Sequence, residues 1–276
     1  MKRNVVALVA VQGSIARGTR TRDALDYLPY ARATWEWWCA KNGAEFVLVD
    51  RTEGTGILPG APPTVQRWFA PREIIEARGP ETRVAMVDAD TMIRWDTPDF
   101  FELAGDSLTA VHAAGPAWVA KSIAAFLHLF PGVELDPGDY FNAGFVIAGE
   151  AQLRVFSAFA KFYAQNQAEL EAIFRSADLG TDQTPLNLMV RREGEPVRFL
   201  GREYNLLHCF GYDRPTRLEF EIEPSPDWTG FERKAFALPN AFAFIETGFV
   251  WHFSNTVAAR AIVMAETWKR VKDHYR

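Results

Sequence analysis

Asp88 and Asp90 stand two residues apart at the end of the apolar run Val84–Val87, and two carboxylates delivered together by a strand are the outline of a metal and diphosphate site. On an extended backbone residues i and i+2 project to one face. At about 4 Å two such charges repel by roughly 4 kcal/mol at an effective dielectric near 20. A divalent cation removes that cost, and hard oxygen ligands select Mg²⁺ or Mn²⁺ over thiophilic metals. Fifteen aspartates in 276 residues put about 0.8 such tripeptides in the chain by chance, so the context carries the inference. The run is short and follows the turn-like Gly79-Pro80-Glu81, as a buried parallel strand would.

Other residues offer complementary chemistry. Asp182 precedes a helical pattern; it either caps that helix or places a carboxylate beside a reacting centre. His252 follows an aromatic-rich strand, where a hydrogen-bonded core histidine and a metal ligand are both open. The small residues after Phe141 let a ligand approach the backbone at Gly144. Arginines crowd two places, Arg17, Arg20 and Arg22 after the first strand, and Arg67, Arg72, Arg78 and Arg83 ahead of Asp88. A phosphate-bearing ligand suits such clusters, although solvated loops give the same pattern.

The elements that must position these residues read as α/β. Val5–Val11 is a strand, 27–42 a helix stopped by Gly43, and Phe46–Val49 a second strand, which makes a β-α-β opening. A Gly/Pro loop over 54–63 leads to a helix around 65–77 and then to the Asp88 strand. Asp96-Thr97-Pro98-Asp99 starts a further helix. Beyond it lie a strand over 108–112, a helix over 118–130, a strand over 141–148 and a long amphipathic helix over 152–174. Thr181-Asp182-Gln183 caps a helix reaching 190. From 258 the spacing of Ile262, Ala265, Trp268 and Val271 marks a C-terminal docking helix. Trp35, Trp37 and Trp38 invite a sugar-stacking role, but aromatics so spaced usually pack a core.

Composition excludes several classes. A formal charge of −5 argues against nucleic-acid binding. No stretch reaches the roughly 20 apolar residues of a membrane span, and Lys2-Arg3 with the short run behind them read as a first strand rather than a secretion signal. Cys39 and Cys209 form no disulfide framework and no metal spacing, which suits a reducing cytoplasm. The segment 214–240, with four prolines, reads as an irregular excursion. Lys269, Arg270 and Lys272 on the last helix either face water or touch an anionic membrane peripherally.

With these pieces in order the chain resembles the GT-A glycosyltransferases, and among them glycosyltransferase family 8 and its relatives. The family's S-W-x-x-Y-A-x-K-H-G-x-x-F is matched by the run from Thr34 to Phe46, its D-x-D by Asp88-Ala89-Asp90, and its upstream arginine best by Arg72. Tyr140-Phe141-Asn142-Ala143-Gly144 is the family's Y-F-N-A-G intact, and Asp182-Gln183-Thr184-Pro185-Leu186-Asn187 its D-Q-x-x-L-N. Tyr204-Asn205 and the late Trp251-His252-Phe253-Ser254 complete a similarity running from about residue 5 to 255, with gaps over 214–240. Two positions depart from it. Asn255 replaces a glycine and no lysine follows at the matching place, Arg260 being a displaced substitute; and strand one leads into Gln12-Gly13 rather than the family's nucleotide-contacting pattern.

The resemblance implies a single GT-A domain over 1–276 with a mixed central sheet flanked by helices, a donor half over about 1–110, an acceptor half over about 111–255 and a C-terminal helix over about 258–274. It implies a hexosyltransferase that uses Mn²⁺ or Mg²⁺ to move a sugar from a nucleoside-diphosphate sugar, UDP-sugars favoured, to a saccharide or glycolipid acceptor with retention. Asp88, Asp90 and His252 would hold the metal, with Asp88 also on the ribose. Arg72, Asn142, Ala143 and Gly144 would line the donor, and Asp182 and Gln183 would face the reacting carbon. Two rivals stand beside it. A sugar-phosphate nucleotidyltransferase is suggested by Gly18-Thr19-Arg20, though its loop lacks the adjacent glycines. The other rival is a non-catalytic sugar-binding protein on the same fold, although the carboxylates such proteins tend to lose are all present.

Overall fold

The computed structural model describes residues 2–10, 25–50, 63–177, 182–207, 242–254 and 260–276. The Arg17, Arg20 and Arg22 cluster, the loop over 54–62, Thr181, Cys209 and the 214–240 segment lie outside the described residues. The chain divides into two compact units. One comprises Met1–Leu25, Cys39–Asp88 and Asp99–Gly201; the other comprises Asp26–Trp38, Ala89–Pro98 and Arg202–Arg276.

The first unit is built on a six-stranded mixed sheet in the order β2-β1-β3-β6-β5-β7. Its strands are β1 (Arg3–Val9), β2 (Glu45–Val49), β3 (Thr82–Asp88), β5 (Leu108–His112), β6 (Phe141–Ala148) and β7 (Val197–Leu200). β1 runs parallel to both β2 and β3, while β6 runs antiparallel to β3 and β5. Both faces of β1 are covered: Val5, Val6, Ala7 and Leu8 are all fully buried, which is why its sequence is continuously apolar rather than alternating. Val5, Ala7, Val84, Met86 and Val146 share one core with Ile74 and Ile75 of α3 (Ala70–Arg78) and with Phe156, Phe159 and Tyr163 of α6 (Leu153–Ala177). The remaining helices of this unit are α2 (Pro63–Gln66), α4 (Phe100–Ala104), α5 (Pro116–Phe126) and α7 (Gln183–Arg192). Asp99 caps α4 by accepting from the Phe101 amide, three residues beyond the start expected at Asp96.

Asn187 of the D-Q-x-x-L-N run shows what such a motif does physically. Its side chain accepts from the Phe141 amide at 2.8 Å and donates to the Phe141 carbonyl at 3.0 Å and to the Gln183 carbonyl at 2.9 Å. It thus completes the backbone of β6 near the place where the β5/β6 register shifts, between Ala110 and Val111. Asn187→Leu should strand two buried backbone groups and cost about 3 kcal/mol, read as a lowered urea midpoint with an unchanged slope.

The second unit holds a two-stranded antiparallel sheet of β4 (Thr91–Ile93) and β8 (Val250–His252), with Thr91 opposite His252. α8 (Phe244–Thr247) and α9 (Arg260–Val271) belong to it. α1 (Leu28–Asn42) straddles the division at residue 38. The apolar stretch 84–93 is therefore not one strand. β3 ends at Asp88, Ala89 and Asp90 form a turn, and β4 starts in a different sheet. Within the second unit Trp35 and Trp38 of α1 are core, and their polar edges set the segment after that turn. Trp35 Nε1 donates to Thr91 Oγ1 at 3.0 Å, Trp38 Nε1 to the Thr97 carbonyl at 2.9 Å, and the Ile93 amide to Thr34 Oγ1 at 3.3 Å. Buried indoles need such partners, and here one lies in β4 and the other a few residues beyond it, on the segment that carries the chain away from Asp90. Among the described residues no helix is long and apolar enough to cross a membrane.

Candidate metal and sugar site

In the second unit, the antiparallel pairing of β4 with β8 sets His252 beside the turn that carries Asp90, and the Phe253 amide donates to the Asp90 carbonyl at 2.9 Å. Both side chains are buried, His252 at 3% and Asp90 at 8% exposure. Asn205 Oδ1 lies 3.0 Å from His252 Nδ1, and an acceptor there holds the ring proton on Nδ1. Nε2 on the other side of the ring lies 3.3 Å from Asp90 Oδ1. The other Asp90 oxygen, Oδ2, is paired with Arg260 Nη2 at 2.9 Å. Burial is the strongest influence on the Asp90 carboxyl and opposes ionisation, but the charges of Arg260 and His252 outweigh it and hold the group well below the ordinary carboxylate range. Asp88 stands two residues back along the chain, at the end of β3 in the first unit. A carboxylate oxygen and an imidazole nitrogen as close together as those of Asp90 and His252 are donors suited to a divalent ion such as Mn²⁺.

In the first unit, a second group of charges forms around Arg67, in a short 3-10 turn over Arg67–Phe69. The guanidinium is buried and forks between two carboxylates. Nη1 pairs with Asp88 Oδ1, while Nε and Nη2 donate to Asp182 Oδ2 at 3.0 and 2.7 Å. Trp68 Nε1 donates to the same Asp182 oxygen at 2.7 Å, its ring stacked on Phe156. Asp182 is only 4% exposed and makes no side-chain cap bond to α7, although it occupies the cap position. The capping alternative thus gives way, because three N–H donors converge on the carboxylate from elsewhere.

Gln183, the first residue of α7, is held from both ends of its amide. Its Oε1 accepts from the Ala143 amide and from Asn142 Nδ2, each at 2.9 Å, while Nε2 donates to Tyr140 Oη at 3.3 Å. The backbone donor at Ala143 fixes the orientation of the amide. Tyr140 Oη in turn lies 2.6 Å from Thr184 Oγ1, which lies 2.6 Å from Ser122 Oγ. Burial pushes the Tyr140 hydroxyl up to about 12, so that hydroxyl stays neutral at physiological pH. Asn142 Oδ1 accepts from the Gly144 amide at 2.8 Å, closing the small-residue segment on itself.

The residues singled out in the sequence fall into these groups with one exception. Asp88 joins Arg67, Asp182 stands with Arg67 and Trp68, Gln183 gathers Asn142 and Ala143, and Asp90 meets His252. Arg72 stands on the exposed face of α3, where its guanidinium bonds Ser157 Oγ and pairs with Glu76. Arg67, only five residues earlier, makes the buried contacts, and its place in the arginine cluster ahead of Asp88 was the one signal pointing to it. Trp68 carried no signal beyond its indole.

No protein-family model matches the chain, and no curated protein matches it. Among solved structures, a glycosyltransferase involved in the glycosylation of the major capsid of PBCV-1 superposes with a TM-score of 0.50, covering 96% of this chain and 100% of that one at 10% identity. The chain has the GT-A fold. The galactosyltransferase LgtC in complex with donor and acceptor sugar analogues shows 15% identity over 97% of this chain and 96% of its own, with a TM-score of 0.45. Mouse xyloside xylosyltransferase 1 shows 11% identity over 93% and 98%, with a TM-score of 0.43. At such identities the likeness concerns architecture alone. What this GT-A chain does must be argued from its own side chains.

Proposed function

We propose that the chain is a metal-dependent glycosyltransferase of the hexosyltransferase type, similar to glycosyltransferase family 8. In this reading it moves a sugar from a nucleoside-diphosphate sugar, UDP-sugars favoured, to a saccharide or glycolipid acceptor with retention, and 1–276 serves as one transferase domain. The observation that carries the reading is the buried pair of Asp90 and His252, with His252 Nε2 facing an Asp90 oxygen at 3.3 Å. Asp90 and His252 would hold Mn²⁺ or Mg²⁺, which would supply Lewis-acid stabilisation of the diphosphate leaving group. Asp88 reaches the metal and the ribose. Arg67 orients Asp88 and Asp182 through one rigid fork and brings positive charge toward the phosphates. The Asp182 carboxylate offsets positive charge at the anomeric carbon. Gln183, anchored at Tyr140, holds Asn142, Ala143 and Gly144 in the shape that lines the sugar. The basic residues Lys269 and Arg270 are exposed on α9, which suits peripheral contact with an anionic surface bearing a glycolipid acceptor.

The test is incubation with a panel of nucleoside-diphosphate sugars, with Mn²⁺ or with EDTA. Metal-dependent release of nucleoside diphosphate supports the reading. Release of pyrophosphate from NTP and sugar phosphate replaces it with a nucleotidyltransferase, and metal-dependent donor binding without cleavage replaces it with a sugar-binding protein. Asn205 supplies a finer expectation. Because it fixes the proton on His252 Nδ1, Asn205→Ala should weaken Mn²⁺ binding about tenfold, and His252→Ala should weaken it further, both read by calorimetry.

A further inference from the structure

Arg260 is held more firmly than a surface arginine at a helix start needs to be. Nε lies 3.2 Å from the Phe253 carbonyl, Nη2 3.3 Å from the Ser254 carbonyl and Nη1 3.4 Å from Tyr27 Oη, and the guanidinium carbon sits 5.3 Å from the centre of the Tyr27 ring. All of these groups belong to the second unit, as do Asp90 and His252. So anchored, the guanidinium meets Asp90 Oδ2 at 2.9 Å, and the two side chains are only 16% and 11% exposed. Unlike a lysine, this cation does not give up its proton in a protein. The one negative charge of Asp90 is therefore already balanced from within the chain, on the oxygen opposite the one that faces His252.

We infer that Arg260 is a built-in cation that competes with the divalent ion for the charge of Asp90, so that the protein takes up metal weakly when no anionic ligand accompanies it. The inference rests on the metal reading of Asp90 and His252. Its physical basis is plain. A divalent ion beside Asp90 Oδ1 either displaces Arg260 from the carboxylate or sits near a fixed positive charge with little water between them, and both oppose binding. The opposite sign would follow if Arg260 served mainly to hold Asp90 in place, since its loss would then loosen a ligand.

Calorimetric titration with MnCl₂ alone, in the absence of nucleotide, separates the two. Arg260→Gln should bind Mn²⁺ about tenfold more tightly than the wild type, and Arg260→Lys, which keeps the charge, should stay near it. Equal or weaker binding by the Gln variant overturns the inference while leaving the metal reading in place. Absence of Mn²⁺ binding by the wild type and both variants removes the metal reading and this inference together. Should the Gln variant fail to fold, Mg²⁺ titration of the wild-type protein, followed by NMR at the Arg260 Nε–H, decides the question. A shift with faster exchange supports competition, and an unmoved resonance rejects it.

Discussion

Asp90→Asn should abolish Mn²⁺-dependent binding of nucleoside diphosphate, and it should also destabilise the metal-free protein. The first effect follows because the neutral amide removes the negative charge that sits between His252 Nε2 and Arg260. The second follows because Arg260 is left buried without its counter-charge, at a cost of about 3 kcal/mol. The pH dependence has a definite sign. The Asp90 carboxyl titrates well below the ordinary range in the folded state, burial being outweighed by Arg260 and then His252. Its contribution to stability is therefore complete above the unfolded value near pH 3.9 and is lost as the pH falls from there toward the depressed folded value. The gap in denaturation midpoint between wild type and variant should be full at pH 7 and shrink below about pH 4. A variant with wild-type calorimetric affinity for Mn²⁺ and UDP would remove Asp90 from the metal site.

Asp182→Asn should depress kcat on the order of 100-fold or more while changing the KM for the donor little, because a charge that stabilises the transition state is lost and ground-state contacts remain. The structure sharpens this expectation. Three N–H donors from Arg67 and Trp68 fix one carboxylate oxygen, so the group is preorganised rather than free to reorient. Arg67→Gln should reproduce much of the loss, since the same fork also grips Asp88. Product NMR on the slow variants reports the anomer. Near wild-type kcat in Asp182→Asn would reduce the residue to an anchor for the 67–68 turn. An inverted product would overturn the family 8 likeness while leaving a metal-dependent transferase.

Much of this was legible along the chain, because it is encoded over short distances. Continuous apolar runs marked the buried strands β1 and β3, spacing marked α1 and α6, and the runs 140–144 and 182–187 marked the segments that Gln183 and Asn187 tie together. Trp35 and Trp38 of α1 proved to be core, as aromatics at helical spacing usually are, while Trp37 is half-buried against Tyr275. Tertiary structure alone decided the rest. Asp88 and Asp90 do not share one strand face, since β3 ends at Asp88 and β4 leaves to pair with β8, with Ile93 opposite Val250, 157 residues further on. That pairing, invisible to local pattern, is what brings His252 to Asp90. Arg67 and Arg72 look alike in the sequence. Arg67 lies in a buried 3-10 turn and reaches two carboxylates 21 and 115 residues away, whereas Arg72 lies on the outer face of the next helix. Residue type and periodicity determine which elements form and which faces they bury, but the direction of a single long side chain depends on partners remote in sequence, and only the folded chain places those partners within reach.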